Sequence, residues 1–170
     1  MTLTGTVDPS ADYARRQDEA EYVFDSDLLV PHLHSNSKIG AIKELVDRLH
    51  QRGVIADSLP FLQAVLEREN LQSTILADEV ALPHARCPSV RRLGVAVGLA
   101  QPPLEYPSGD ELREIPVICL IAVPAGSAGL YLSLMANLAH RLRVPAVRAE
   151  LQAADTAAEI QELLSLPDCC

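Results

Sequence analysis

Val117-Ile-Cys-Leu-Ile-Ala-Val123 is a continuous apolar run closed by Pro116 on one side and Pro124 on the other. A run this short, rich in β-branched residues and bounded by prolines, predicts a strand buried on both faces near the centre of a sheet. On its N-terminal side, residues 93–99 alternate Val95 and Val97 with small residues and predict a second strand. Between the two, residues 101–114 hold Pro102, Pro103, Pro107, Gly109 and several charges, and read as a surface loop.

Helical patterns surround these strands. Ile39, Ile42, Leu45, Val46 and Leu49 recur at helical spacing, with Ser35 or Ser37 as N-cap and Gly53 as the stop. Asp57-Ser-Leu-Pro60 opens a second helix in which Leu62, Val65 and Leu66 face inward, Arg68 sits in the last turn, and the end falls near Asn70. Beyond Gly126, Leu130, Leu134, Met135, Leu138 and Leu142 form a stripe that stops near Pro145. A short helix over 147–153 follows. Thr156 and Glu159 have capping-box spacing ahead of Ile160, Leu163 and Leu164, predicting a last short helix.

The 170 residues are 48% hydrophobic but only 4% aromatic, with no Trp, so the core is aliphatic, a composition suited to helices packed on a sheet. Residues 1–24 carry charges, Pro and Ser without an apolar signal core and read as a disordered or loosely packed tail; residues 25–170 read as one domain. The expected compartment is the cytoplasm. Acidic residues outnumber basic ones 23 to 14, for a net charge of -9, which disfavours nucleic acid and anionic lipid as partners. The longest apolar stretch, 115–123, falls well short of the roughly 20 residues a membrane helix needs. Cys87, Cys119, Cys169 and Cys170 show no paired spacing and read as reduced thiols.

The segment most charged with chemistry is residues 71–86, where His84 follows Pro83 at the end of a short apolar stretch. This presents an imidazole at a strand end. One histidine alone does not separate an active imidazole from a loop residue without a role. Likewise, Arg68 is either a solvated residue at a helix end or an anion-binding guanidinium.

Val80-Ala-Leu-Pro-His-Ala-Arg86 resembles the phosphorylation motif of the fructose/mannitol-type IIA domains of the bacterial phosphoenolpyruvate-dependent sugar phosphotransferase system, a group that includes the nitrogen-regulatory IIA proteins. The resemblance continues in Ser37-Lys38 ahead of Leu45-Val46 and Gly53, in Leu66-Glu-Arg68-Glu69 ahead of Ser73-Thr74, and in Ala122-Val-Pro124 before the long helix. It implies an α/β sandwich with a mixed β-sheet flanked by helices on both faces. It also implies a phosphotransferase whose His84 accepts a phosphoryl group from an HPr-like phosphocarrier and donates it to a IIB component. Neutral imidazole is a good nucleophile near pH 7, and the N–P bond stays labile enough for onward transfer. The regulatory relatives imply an alternative, a binding protein whose regulated partner responds to phosphorylation of His84. No cofactor is called for.

Arg68 matches the family's active-site arginine, and Ser73 and Thr74 stand where hydroxyls or backbone N–H groups would contact the phosphoryl group. The family's glycines after that pair are replaced here, with Ile75 and Ala77 in their place. Where the family carries a second active-site histidine, this chain has Tyr131. It reads either as a hydroxyl donor to the site or as a core residue of the 131/134/135/138 stripe. His140 lies nine residues further on, on the opposite side of the helix. His32-Leu-His34 reads as a surface strand, with no third ligand spaced to make a metal site. Arg86, Arg91 and Arg92 read as flanking cations that help partners dock.

Overall fold

In the computed structural model, which describes residues 24–126 and 129–165, a 3-10 turn (Ser26–Leu28) leads into β1 (Leu29–Val30), α1 (Lys38–Gln51) and α2 (Ser58–Leu71). Then come β2 (Ile75–Leu76), β3 (Val80–Ala81), β4 (His84–Cys87), β5 (Gly94–Ser108) and β6 (Glu111–Pro124). The helices α3 (Gly129–Leu142), α4 (Pro145–Gln152) and α5 (Ala157–Ser165) close the chain.

The apolar run at 117–123 lies inside the sheet, as its pattern predicts. Strand order is β1-β5-β6-β3-β2, with β4 also pairing β6. β5 and β6 are antiparallel, β3 and β4 run parallel to β6, and β1 runs parallel to β5, so the sheet is mixed. Period-2 alternation sends successive β6 residues to opposite faces. Ile118, Leu120 and Ala122 join Ile42, Leu45 and Leu49 of α1 and Phe61 and Val65 of α2 in one core. Val117, Cys119, Ile121 and Val123 join Leu138 and Leu142 of α3, Leu151 of α4, and Ile160 and Leu164 of α5 in the other. Helices therefore cover both faces, the α/β sandwich that the resemblance implies.

Local signals account for the helix ends. Ser37 caps α1 by accepting from the Gly40 N–H at 3.1 Å. Gly53, at φ +70°, follows the last turn in the left-handed conformation that glycine adopts without strain. Thr156 Oγ1 accepts from the Glu159 N–H at 3.2 Å, and the Glu159 carboxylate reaches back to the Asp155 N–H at 2.8 Å. Ile39 departs from its expected inward face and is 60% exposed. No helix among the described residues is long and apolar enough to cross a membrane.

The expected loop at 101–114 is instead the outer half of a β-hairpin. Leu104 pairs Ile115, Tyr106 pairs Arg113 and Ser108 pairs Glu111, after a register shift between Leu99 and Leu104. Leu104, Tyr106 and Ile115 are buried, and the turn passes through Gly109 at φ +60°. Pro102 and Pro103 fall in the register break and Pro107 lies beyond the β1 pairing, where a missing N–H costs no ladder bond. Phe24, assigned to the tail from sequence, is buried, and its carbonyl accepts from Gln161 Nε2 at 3.0 Å. The rest of the expected tail, and Cys169 and Cys170, lie outside the described residues.

Candidate functional site

β4 continues along the side of β6 that β3 begins, with His84 opposite Ile121. Pro83 sits at the junction. It has no N–H to place in a ladder, and its carbonyl accepts from the Ile121 N–H at 2.9 Å. Alternation along β4 turns Ala85 and Cys87 into the core beneath α1 and α2, and leaves His84 and Arg86 on the opposite face.

His84 opens into a cleft of about 410 Å³ at this strand. Ala64, Glu67, Arg68 and Leu71 of α2, all on one helical face, form one wall, and Tyr131 near the start of α3 forms another. The Nδ1 atom of His84 lies 2.8 Å from the Leu82 carbonyl oxygen. A carbonyl only accepts, so Nδ1 carries the proton and Nε2 keeps its lone pair. The imidazole is thus held in the tautomer with a nucleophilic Nε2.

Arg68 lies in the last turn of α2, and its Nη1 donates to the Gln72 carbonyl at 2.9 Å. The next residue anchors this turn. Glu69, with a side chain 1% exposed, accepts from the Tyr106 hydroxyl at 3.0 Å and from the Thr74 hydroxyl, and pairs with Lys38 Nζ at 3.2 Å. Lys38 also sits 4.4 Å above the Tyr106 ring. Burial, reinforced by the Glu69 charge, pushes the Tyr106 hydroxyl far above the ordinary tyrosine range, so it remains a donor.

Tyr131 lies both on the α3 stripe and beside His84, and its hydroxyl makes no hydrogen bond among the described residues. Its ring packs with Leu134 and Met135 against the α3-side core, and its centroid lies 6.3 Å from that of His84 at an interplanar angle of 42°. Ser73 and Thr74 do not line the cleft. The Thr74 hydroxyl is engaged by Glu69, whereas Ser73 Oγ accepts from the Ile75 N–H at 3.3 Å and faces a separate groove beside α1.

Of the flanking arginines, Arg86 lines the cleft and Arg91 and Arg92 do not. The 32–34 segment is irregular and not the expected surface strand. His34 Nδ1 lies 3.0 Å from Glu44, and His32 Nε2 lies 4.0 Å from Asp155. Among the described residues no group of three or more His, Cys, Asp or Glu is arranged to hold a metal ion. Burial pushes the Cys119 thiol up to about 12, leaving little thiolate. Cys87 is buried on the face opposite His84. Glu67 and Leu71 were missed from sequence, although Leu71 stands three residues from Arg68 and four from Glu67, spacings that bring the three onto one side of α2.

Comparison with known proteins matches residues 22–166 to the family model described as "Phosphoenolpyruvate-dependent sugar phosphotransferase system, EIIA 2". The chain is 31% identical over 139 residues to the PTS system 2-O-alpha-mannosyl-D-glycerate-specific EIIABC component of Escherichia coli K12; the match covers 81% of this chain and 21% of that protein. It is 26% identical to a nitrogen regulatory protein of Bradyrhizobium diazoefficiens over 83% of this chain and 91% of the relative. Its fold superposes on the crystal structure of nitrogen regulatory protein IIA-Ntr from Neisseria meningitidis with a TM-score of 0.76 at 22% identity, covering 84% of this chain and 97% of that one.

Proposed function

The chain belongs to the sugar phosphotransferase system EIIA 2 family, and on that premise we propose that it is a phosphotransferase component that carries a phosphoryl group on His84. The single observation that carries this reading is the free Nε2 of an imidazole whose Nδ1–H is held by the Leu82 carbonyl, in a cleft beside Arg68. An HPr-like phosphocarrier is the donor and a IIB component the acceptor. In the first transfer the Nε2 lone pair attacks phosphorus, the donor's P–N bond breaks, and its electron pair returns to the donor imidazole. No proton changes hands. His84 gains positive ring character, which strengthens the Nδ1–H bond to Leu82. Charge on the equatorial phosphoryl oxygens falls to the Arg68 guanidinium, since positioning and charge neutralisation are most of what such a transfer demands. The bonds made and broken join nitrogen and phosphorus alone, so the step calls for no cofactor. Both partners and the chain itself work in the cytoplasm.

Similarity across 91% of a nitrogen regulatory protein favours a second reading, a regulatory protein whose partner binding depends on His84 phosphorylation. Loading the chain with phosphoenolpyruvate, enzyme I and HPr, then adding purified IIB, separates the two. Transfer to IIB supports the carrier; a loaded chain that keeps its label and differs from the unloaded chain in partner affinity supports the regulator.

A further inference from the structure

We propose that Arg86 is a second cation for the phosphoryl group on His84, and that Tyr131 is the positioning residue that holds its guanidinium there. The inference rests on the carrier reading above and extends it to residues outside the motif's histidine. His84 and Arg86 are alternate residues of β4, so their side chains leave the same face about 6.6 Å apart along the strand. Tyr131 spans that interval. Its ring centroid is 6.3 Å from the His84 ring, and the Arg86 guanidinium carbon lies 5.7 Å from the same centroid. A guanidinium at this range is drawn to the ring by its quadrupole and keeps its N–H donors free at its edge.

Two further observations support the assignment. Arg86 is exposed and lines the cleft, and among the described residues it makes no salt bridge, so its charge is not neutralised. The Tyr131 hydroxyl makes no hydrogen bond among the described residues, which places the work of this side chain in its ring face. A chain with tyrosine at 131 thereby gains, from a neighbouring strand residue, a positive charge that tyrosine cannot carry.

The test measures single-turnover phosphorylation of His84 in the full chain from two donors, phospho-HPr and phosphoramidate, a small N–P compound with no protein surface to dock. Arg86→Ala should slow labelling from both donors by about tenfold. Tyr131→Ala should show a similar loss, Tyr131→Phe should recover most of it because the ring remains, and the Arg86→Ala/Tyr131→Ala double variant should be no slower than Arg86→Ala alone. Arg86→Ala alters only an exposed side chain and remains decisive even if Tyr131→Ala fails to fold. An Arg86→Ala defect confined to phospho-HPr would make Arg86 a docking residue and overturn the proposal, as would no defect at all. Equal losses in Tyr131→Phe and Tyr131→Ala would overturn the platform role. A wild-type chain labelled by neither donor would instead remove the carrier reading itself.

Discussion

His84 Nδ1 stands 2.8 Å from the carbonyl oxygen of Leu82, two residues back along the same chain. Pro83, between the two, has no N–H to offer and gives its carbonyl to the Ile121 N–H of β6, while the Leu82 carbonyl before it accepts from the ring. The bond decides which nitrogen is available. Heteronuclear NMR of the phosphorylated chain should therefore show phosphorus coupled to Nε2, with Nδ1 still protonated. Coupling to Nδ1 would mean that the Leu82 bond is not kept in the reactive state.

Arg68 is presented from the last turn of α2, which Glu69 pins from behind through Lys38, Tyr106 and Thr74. Arg68→Lys retains the charge and loses the planar fork. Single-turnover phosphorylation should slow on the order of 10²-fold, with the melting temperature unchanged. A wild-type rate would return Arg68 to an ordinary helix-end residue.

Ala77 occupies φ +52° in the turn between β2 and β3, a left-handed conformation in which an L side chain is strained. Left-handed backbone costs roughly 1–2 kcal/mol at a non-glycine residue, and glycine returns about 0.5–1 kcal/mol of that as added unfolded-state entropy. Ala77→Gly should thus stabilise the protein by roughly 0.5–1 kcal/mol in urea unfolding. A loss of stability would show that the turn relaxes without strain at alanine.

Glu44 ties the segment before α1 to that helix by accepting from the His34 and Ser35 N–H groups at 3.1 and 3.2 Å. Burial pushes its carboxyl up, but hydrogen bonds from the His34 ring and from these amides outweigh burial and hold it below the usual glutamate range. The unfolded chain then takes up the proton at higher pH than the folded one. The contribution is complete above the ordinary glutamate range and fades as pH falls through the lowered value. Glu44→Gln should cost about 1 kcal/mol at pH 7 and much less at pH 3. Parallel urea midpoints for the two proteins at both pH values would contradict this.

Elements with enough residues to display a period were legible in the sequence. The 117–123 run, the α1 stripe and the Thr156–Glu159 cap all gave their local structure away. The outer hairpin was not, because Pro102, Pro103 and Pro107 masked the alternation of Leu104, Tyr106 and Ile115. β1, β2 and β3 are two residues each, too short for any periodicity. At the site, His84 stood out through resemblance to a motif more than through its own chemistry. Its partners were hidden for a different reason. The Leu82 contact is made by backbone, and the Arg86–Tyr131 stack joins residues that meet only because β6 runs beside β4 and leads into α3.

The central claim is that His84 is the phosphoryl acceptor, and intact-mass measurement after incubation with phosphoenolpyruvate, enzyme I and HPr tests it most directly. The wild-type chain, His32→Ala and His140→Ala should each gain one acid-labile phosphoryl group, and His84→Ala should gain none. Undiminished labelling of the His84→Ala protein would contradict the assignment.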